Sequence, residues 1–370
     1  MINLAYDHQA FCLSPYGGIT RYVYELASRS ASLDSFDVKI LAGLYTNNYV
    51  KRDQKSIVRG LQIPTVPKTA QVLRLINSGL VGAYLQYKTP NIVHETYYSQ
   101  RRIAPKSCQT VLTVYDMIHE KFGHMMPRRE QRIVDAKRSA IERADHIICI
   151  SEQTKRDLIE TFDVIPEKLS VVHLGFSLTQ NKNSDSLPIV GQPYILYVGS
   201  RRSYKNFSGL VHAYAASKEI NQDIALVCFG SQAFSDSERE LFQELGLNQN
   251  QVIHLSGDDN VLGHLYANAE AFIYPSLYEG FGIPPLEAMS FDCPVICSNG
   301  GSIPEIVGDA GVYFDPNSLS SIVNSLKMVL LSPLKQANLV ELGKQRLTRF
   351  SWEKCAIETQ NIYQGLLAKN

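Results

Sequence analysis

Only one tryptophan occurs in 370 residues, and no net charge remains once 36 basic side chains are set against 36 acidic ones. A neutral total supplies no global field, which removes nucleic acid as a default partner. No C-x-x-C pair occurs among the seven cysteines at 12, 108, 149, 228, 293, 297 and 355, so the spacing of zinc ribbons and dithiol redox sites is absent. This odd, scattered set reads as free thiols in a reducing compartment. No stretch reaches the roughly 18 apolar residues of a membrane span, and MINLAYDHQAF lacks the charged-then-apolar pattern of an export signal. Together these absences predict a cytoplasmic protein.

What is present is apolar material for full cores, at 45% hydrophobic residues, in a chain longer than the roughly 250–300 residues at which single cores stop growing. Two domains are expected. Six β-branched or aromatic runs precede residue 180: INLAYD, FDVKILAG, NIVHE, TVLTVYD, HIICIS and LSVVHLGF. Six more follow as YILYVG, IALVCFG, VIHLSG, AFIYPS, PVICSN and GVYFDP, separated by helix-length segments such as 206–218 and 236–246. Alternation of this kind predicts an α/β chain with two doubly wound parallel sheets, each with a ligand crevice at the carboxyl ends of its strands. The stretch Thr179–Pro193, rich in Asn, Ser, Gly and Pro, reads as the linker. The domains are thus 1–180 and 194–350 with 181–193 between them, followed by a last helix over 351–370. Their crevices are expected to face one another across one cleft.

The densest motif is Ser276-Leu-Tyr-Glu-Gly-Phe-Gly-Ile-Pro-Pro-Leu-Glu287, which follows the strand AFIYPS and opens a helix over Pro284–Ser290. Gly280 and Gly282 permit close backbone approach, and a helix N-terminus offers unpaired N–H groups to an anion. Glu287 is placed to accept hydrogen bonds from a diol such as a ribose, and Glu279 to face a reacting sugar. A solvated loop carboxylate and a helix-capping charge are the plain alternatives. A second motif, Tyr197-Val-Gly199-Ser-Arg201-Arg-Ser-Tyr-Lys205-Asn206, puts cations after the first strand of the second series, where they would meet a diphosphate. A third, Ser14-Pro-Tyr-Gly17-Gly18-Ile-Thr-Arg21, sets adjacent glycines at a strand-to-helix turn.

The Glu279–Glu287 stretch resembles the E-x7-E signature of the retaining glycosyltransferases of family 4, which have the GT-B fold, and the resemblance continues through SNGGSIPEIVGDAGVYFDP. It implies transfer of a hexose from a nucleoside diphosphate sugar with retained anomeric configuration. The basic loop resembles the family's diphosphate-binding loop, which maps to Arg201 and Lys205, with Arg202 the alternative to Arg201. Gly17 and Gly18 resemble the glycine loop that meets the donor, while Glu279 and the amides of Gly280, Phe281 and Gly282 would hold the sugar. The base is expected near Gly230 and Asp258. Similarity to bacterial mannosyltransferases of surface-polysaccharide assembly, including lipopolysaccharide, favours GDP-mannose, with a UDP-sugar the alternative. In the GT-B fold the last helix crosses back to the first domain, with Trp352 as its expected anchor. No metal or other cofactor is implied, and no Asp-x-Asp occurs to hold a cation on the donor.

On the acceptor side, VLTVYDMIHEKF puts Asp116 just after a strand, where it would orient the acceptor hydroxyl of a saccharide or lipid-linked saccharide. A capping Asp is the plain alternative, and His119, His94 and Tyr97 read equally well as packing residues. An amphipathic helix is expected over PRREQRIVDAKRSAIER with Arg128, Arg129 and Arg132 in its first turns, a solvated face or a contact with a lipid diphosphate or an anionic membrane surface. The segment Val72–Tyr87 reads as a core helix before a membrane-facing one. That allows peripheral contact with the inner face of a membrane. A non-catalytic sugar-binding protein and a sugar-nucleotide epimerase of the same fold are the competing functions. A nicotinamide enzyme is disfavoured because Gly280-Phe-Gly282 lacks a third glycine.

Overall fold

A computed structural model describes residues 1–12, 17–50, 56–64, 69–127, 130–177, 189–201 and 203–368. Expectations for Ser14–Tyr16, Arg128, Arg129, Arg202 and linker residues 181–188 lie outside these. The chain divides into two compact units, one formed by Met1–Gly175 with Ser351–Asn370, the other by Phe176–Phe350.

Unit 1 begins with β1 (Ile2–Tyr6), α1 (Gly18–Ser30), β2 (Phe36–Tyr45), β3 (Val58–Gln62), α2 (Ala70–Tyr87), β4 (Ile92–Glu95) and β5 (Gln109–Val114). It continues with α3 (Ile118–Phe122), α4 (Gln131–Arg143), β6 (His146–Cys149), α5 (Glu152–Phe162) and β7 (Leu169–Val171). Its seven strands are all parallel in the order β3-β2-β1-β4-β5-β6-β7. Strand β3, absent from the six runs read in sequence, is an edge strand of sequence VRGLQ with an exposed middle, so it carries no buried alternation to detect.

Unit 2 comprises β8 (Tyr194–Val198), α6 (Phe207–Ala216), α7 (Lys218–Asn221), β9 (Ala225–Phe229), α8 (Asp236–Glu244), β10 (Val252–Leu255) and α9 (Asp259–Asn268). Then come β11 (Ala271–Tyr274), α10 (Ile283–Ser290), β12 (Val295–Ser298), α11 (Ile303–Val307), β13 (Gly311–Phe314), α12 (Leu319–Leu330) and α13 (Pro333–Leu347). Its six parallel strands run β10-β9-β8-β11-β12-β13. Both sheets reverse strand order once, between β1 and β4 and between β8 and β11, and such switch points open a crevice at the carboxyl ends of the two strands.

The last helix, α14 (Trp352–Ala368), belongs to unit 1. Trp352 is 4% exposed beside Tyr22, and the backbone of Gly175 runs so close to Ser351 and Trp352 that no side chain fits between them. Further along, the Tyr363 hydroxyl lies 2.6 Å from His94 Nδ1 and 3.1 Å from the Tyr6 hydroxyl, while His94 Nε2 meets the Thr113 hydroxyl at 2.8 Å. His94 is therefore a packing residue whose ring nitrogens both meet hydroxyls.

Helix α2 departs from the core-helix expectation. Leu73, Val81 and Leu85 face inward, but Val72, Leu75, Ile76, Leu80 and Tyr87 are exposed, so this helix is apolar on both faces.

Three buried groups couple the stability of unit 1 to pH. Burial drives His94 down to about 3, and burial together with the charge of Arg74 drives His8 down to about 4. Burial raises Asp7 to about 6 despite its hydrogen bonds from Thr96. Below about 6.5 the unfolded chain binds protons that the folded histidines refuse, so stability falls as pH falls toward their folded values. Asp7 acts oppositely, since the folded chain keeps its proton until about pH 6. From pH 7 to 5 each histidine costs a little under about 2 kcal/mol and Asp7 returns a little over about 1, for a net loss of about 2 kcal/mol, which Glu95, its carboxyl also raised by burial, offsets in part. Urea midpoints at the two pH values test this, and a midpoint that rises on acidification would contradict it.

Candidate active site

In unit 2 the two loops at the switch point carry the motif residues. After β8 the chain makes one tight turn, Ser203–Lys205, and the Lys205 ammonium donates to Glu279 Oε1 at 2.6 Å. Both side chains are largely buried, and Lys205 Nζ also lies over the rings of Tyr204 and Tyr274, at 5.3 and 5.6 Å. A cation and a carboxylate 74 positions apart in sequence thus meet at the crevice.

The Glu279 loop is held from behind. Leu277 N–H donates to the Tyr204 carbonyl at 2.8 Å, the Ser298 hydroxyl to the Ser276 carbonyl at 2.5 Å, and the Ser302 hydroxyl to the carbonyls of Glu279 and Phe281 at 3.0 and 2.7 Å. Gly300 and Gly301 let the backbone after β12 lie directly against this loop. A Cβ on Gly300 would collide with the Leu277 carbonyl, and one on Gly301 would sit 2.6 Å from the Glu279 carbonyl oxygen. Gly282 closes the loop in the left-handed region at φ 103°, where a side chain is strained, and starts α10 with prolines in its first turn. Phe281 is 4% exposed and packs edge-on against Phe350, so only its backbone remains to serve a ligand. Glu287 is half-buried on α10, and one of its oxygens accepts from the Tyr266 hydroxyl at 3.4 Å.

Arg201 is placed differently from Lys205. Its Nε donates to Glu238 Oε1 at 2.6 Å and its Nη2 to the carbonyls of Gln232 and Ala233 at 2.9 and 2.7 Å. The guanidinium also stacks over Phe234, 5.0 Å from the ring centre. Glu238 completes a capping box with Ser235 at the start of α8. Burial raises its pKa, but the hydrogen bonds from Arg201 and Ser235 outweigh that and hold it below the usual carboxylate range. Two edges of Arg201 are therefore committed, and Nη1 alone has no partner among the described residues. Near the loops expected to meet a base, Asp258 caps α9 by accepting from the N–H groups of Asn260 and Val261.

In unit 1, Gly17 is extended and Gly18 begins α1. A Cβ on Gly18 would meet nothing within 4 Å, so protein packing does not demand a glycine there. Asp116 follows β5, with Oδ1 accepting from Ile118 N–H at 3.0 Å as a turn-former at the start of α3. Its carbonyl accepts from Lys137, which is fully buried and also donates to Glu120 at 2.7 Å. The Asp116 carboxylate keeps 28% of its surface exposed. His119 faces Glu130 at 3.6 Å. Helix α4 begins at Gln131, later than the expected start, and Arg132 on it is exposed.

Glu238 and the Gly300–Ser302 brace escaped the sequence reading. A capping-box signature, Ser235-x-x-Glu238, was available for the first; nothing local marks the second, because it is a contact between carbonyls and backbone across two loops. Among the described residues no cluster of three His, Cys, Asp or Glu side chains could hold a metal ion.

Two family models match consecutive parts of the chain: Glycosyltransferase Family 4 over residues 16–180 and Glycosyl transferases group 1 over residues 179–346. The chain belongs to these glycosyltransferases. It is 28% identical over 373 aligned positions to the O-antigen chain mannosyltransferase B of Escherichia coli, covering 95% of this chain and 97% of that one. The fold of this glycosyltransferase matches sucrose-phosphate synthase from Thermosynechococcus elongatus with a TM-score of 0.78 at 20% identity, each chain covered in full. It also matches HepE from Anabaena in complex with UDP and glucose, with a TM-score of 0.72 at 18% identity over the whole of both chains. The two-sheet GT-B architecture expected from sequence is thus shared with solved glycosyltransferases. Among the described residues no helix is long and apolar enough to cross a membrane.

Proposed function

We propose that this glycosyltransferase moves a hexose from a nucleoside diphosphate sugar to a saccharide or lipid-linked saccharide acceptor in surface-polysaccharide assembly, with the anomeric configuration retained. The observation that carries this reading is the Lys205–Glu279 pair at the switch point of unit 2, a cation for the leaving diphosphate beside a carboxylate for the sugar. Mannose with GDP is the favoured donor, supported by the E. coli mannosyltransferase relative. The UDP and glucose in the Anabaena structure support a UDP-sugar as the alternative.

In the proposed step the acceptor oxygen bonds to the anomeric carbon on the face from which the diphosphate leaves. The bond from that carbon to the phosphate oxygen breaks, and the departing phosphate takes the acceptor's proton. Lys205 and Nη1 of Arg201 take up the charge that develops on the leaving group. Glu279 and the amides of Gly280, Phe281 and Gly282 hold the sugar, Glu287 the ribose, and Gly17 and Gly18 offer backbone to the donor. The second oxygen of Asp116 orients the acceptor hydroxyl. The exposed apolar face of α2 supports peripheral contact with a membrane surface at which lipid-linked acceptors reside.

Incubation with a panel of nucleotide sugars, following nucleoside diphosphate release with and without lipid-linked acceptors, tests the reading. GDP-mannose is expected to release GDP in an acceptor-dependent way, and a chelator to leave the rate within about twofold, since cationic side chains neutralise the leaving group. Release from no nucleotide sugar would overturn the donor assignment, and loss with chelator restored by added metal would overturn the mechanism.

A further inference from the structure

Unit 1 carries a cavity of about 440 Å³ between α2, the segment after β4 and the start of α4. This falls within the roughly 300–1,000 Å³ of small-molecule pockets. Arg74, Tyr97, Tyr98, Gln100, Glu130 and Arg132 are among the residues that line it.

Arg74 is the only charged residue of α2, and its guanidinium lies over the Tyr97 ring, 5.7 Å from the centre. Its Nε and Nη2 are shielded from solvent and have no partner among the described residues. A guanidinium does not escape this cost by losing its proton, so the unmet edge calls for an anion, which it meets once the side chain turns that shielded edge onto the cavity. Glu130, the one carboxylate on the wall, faces His119. Behind Arg74 the ring of His8 is buried and neutral, with Nδ1 also unpartnered, and adds no competing charge.

Other donors line the same cavity. Tyr98 accepts from Tyr115 N–H at 3.2 Å and keeps its own proton to donate, the Tyr97 hydroxyl has no partner among the described residues, and Arg132 is exposed at the rim. The Nε and Nη2 edge of an arginine fits two oxygens of one anion. Two hydroxyls and a second cation on the wall beside that edge offer more donors than a flat carboxylate uses, and a phosphate has the further oxygens to meet them.

We propose that this cavity binds a phosphate group, with Arg74 turning its unmet edge to two phosphate oxygens and Tyr97 and Tyr98 donating to the others. It rests on the glycosyl-transfer reading only in one respect, that the phosphate belongs to the acceptor. The acceptor is then a phosphorylated saccharide, either a free sugar phosphate or a saccharide on a lipid diphosphate.

Equilibrium dialysis of the full chain against radiolabelled inorganic phosphate, with the donor site kept filled by saturating GDP or UDP, reads the site directly. Wild-type protein is expected to bind one phosphate, Arg74→Gln at least about tenfold more weakly, and Tyr97→Phe at an intermediate level. Circular dichroism checks that each variant is folded. Absence of phosphate binding by the wild type, or equal binding by a folded Arg74→Gln, would overturn the proposal. Acceptor kinetics then separate the sources, with mannose 1-phosphate in one arm and a lipid-diphosphate-linked mannosyl saccharide in the other. Arg74→Gln is expected to raise the acceptor KM about tenfold in the arm that uses the site while leaving the donor KM unchanged. An equal rise with an unphosphorylated saccharide overturns the acceptor assignment. A failure of all sugar transfer rejects the proposed function, whereas phosphate dialysis still reports on the cavity.

Discussion

Glu279→Gln is expected to lower kcat by about 10²–10³-fold while tightening the binding of nucleoside diphosphate. The two effects have opposite signs because Lys205 is shared. Its ammonium is held by Glu279 at 2.6 Å, so a diphosphate bound as proposed must compete with that carboxylate for the same cation. Removing the negative charge weakens the hold on Lys205, which strengthens nucleotide binding, but it also removes the group proposed to hold the sugar as charge develops at its anomeric carbon. Losses of this size accompany removal of one preorganised electrostatic contact at a transition state. Steady-state kinetics with the accepted nucleotide sugar, alongside calorimetric titration of the diphosphate product, measure both. A variant that turns over within about threefold of wild type would remove Glu279 from the chemistry.

Gly300→Ala is expected to be nearly as damaging to turnover without touching any group that meets substrate. Its new methyl would collide with the Leu277 carbonyl, a backbone atom that has no rotamer by which to retreat. Overpacking of this kind costs about 1–3 kcal/mol of stability. The functional loss is expected to be larger, because the atoms that must give way carry Glu279, the carboxylate proposed to hold the sugar, and a displacement of about 1 Å at such a group costs about 10²-fold. Gly365→Ala, at an exposed position of α14 outside the proposed site, is the matching control. No atom lies within 4 Å of its added methyl, so no loss of stability is expected. Thermal unfolding and turnover measured on both variants separate the effects. Equal, small changes at the two glycines would show that the brace does not position the loop.

Much of this was legible in residue order, and the exceptions share a cause. Alternating strand and helix runs announce two parallel sheets because a strand buried on both faces must be apolar throughout, whereas β3 at an edge has no such demand and left no pattern. The loops holding Lys205 and Glu279 were legible as glycines and charges clustered after strands. Their direct pairing was not, because it is set by which strands are neighbours, and β8 adjoins β11 only after the sheet reverses order. Arg201 shows the same limit more sharply. Its position after β8 reads as a ligand for phosphate, yet which of its edges remains open depends on Glu238, 37 residues away on another helix. Arg74 is the extreme case, since a lone charge in an apolar helix signals nothing until its surroundings are known.

Helix α14 imposes an order on biosynthesis. Tyr363 supplies the hydroxyl that satisfies His94 and meets Tyr6, and Trp352 packs beside Tyr22, so unit 1 is closed by residues that leave the ribosome after all of unit 2. Unit 1 is therefore begun before unit 2 and completed after it. Until α14 has been synthesised, the β1–β4 region stays uncapped, while unit 2, contiguous from Phe176 to Phe350, already has every strand it needs. A premature stop just ahead of Trp352 would damage unit 1 and spare unit 2.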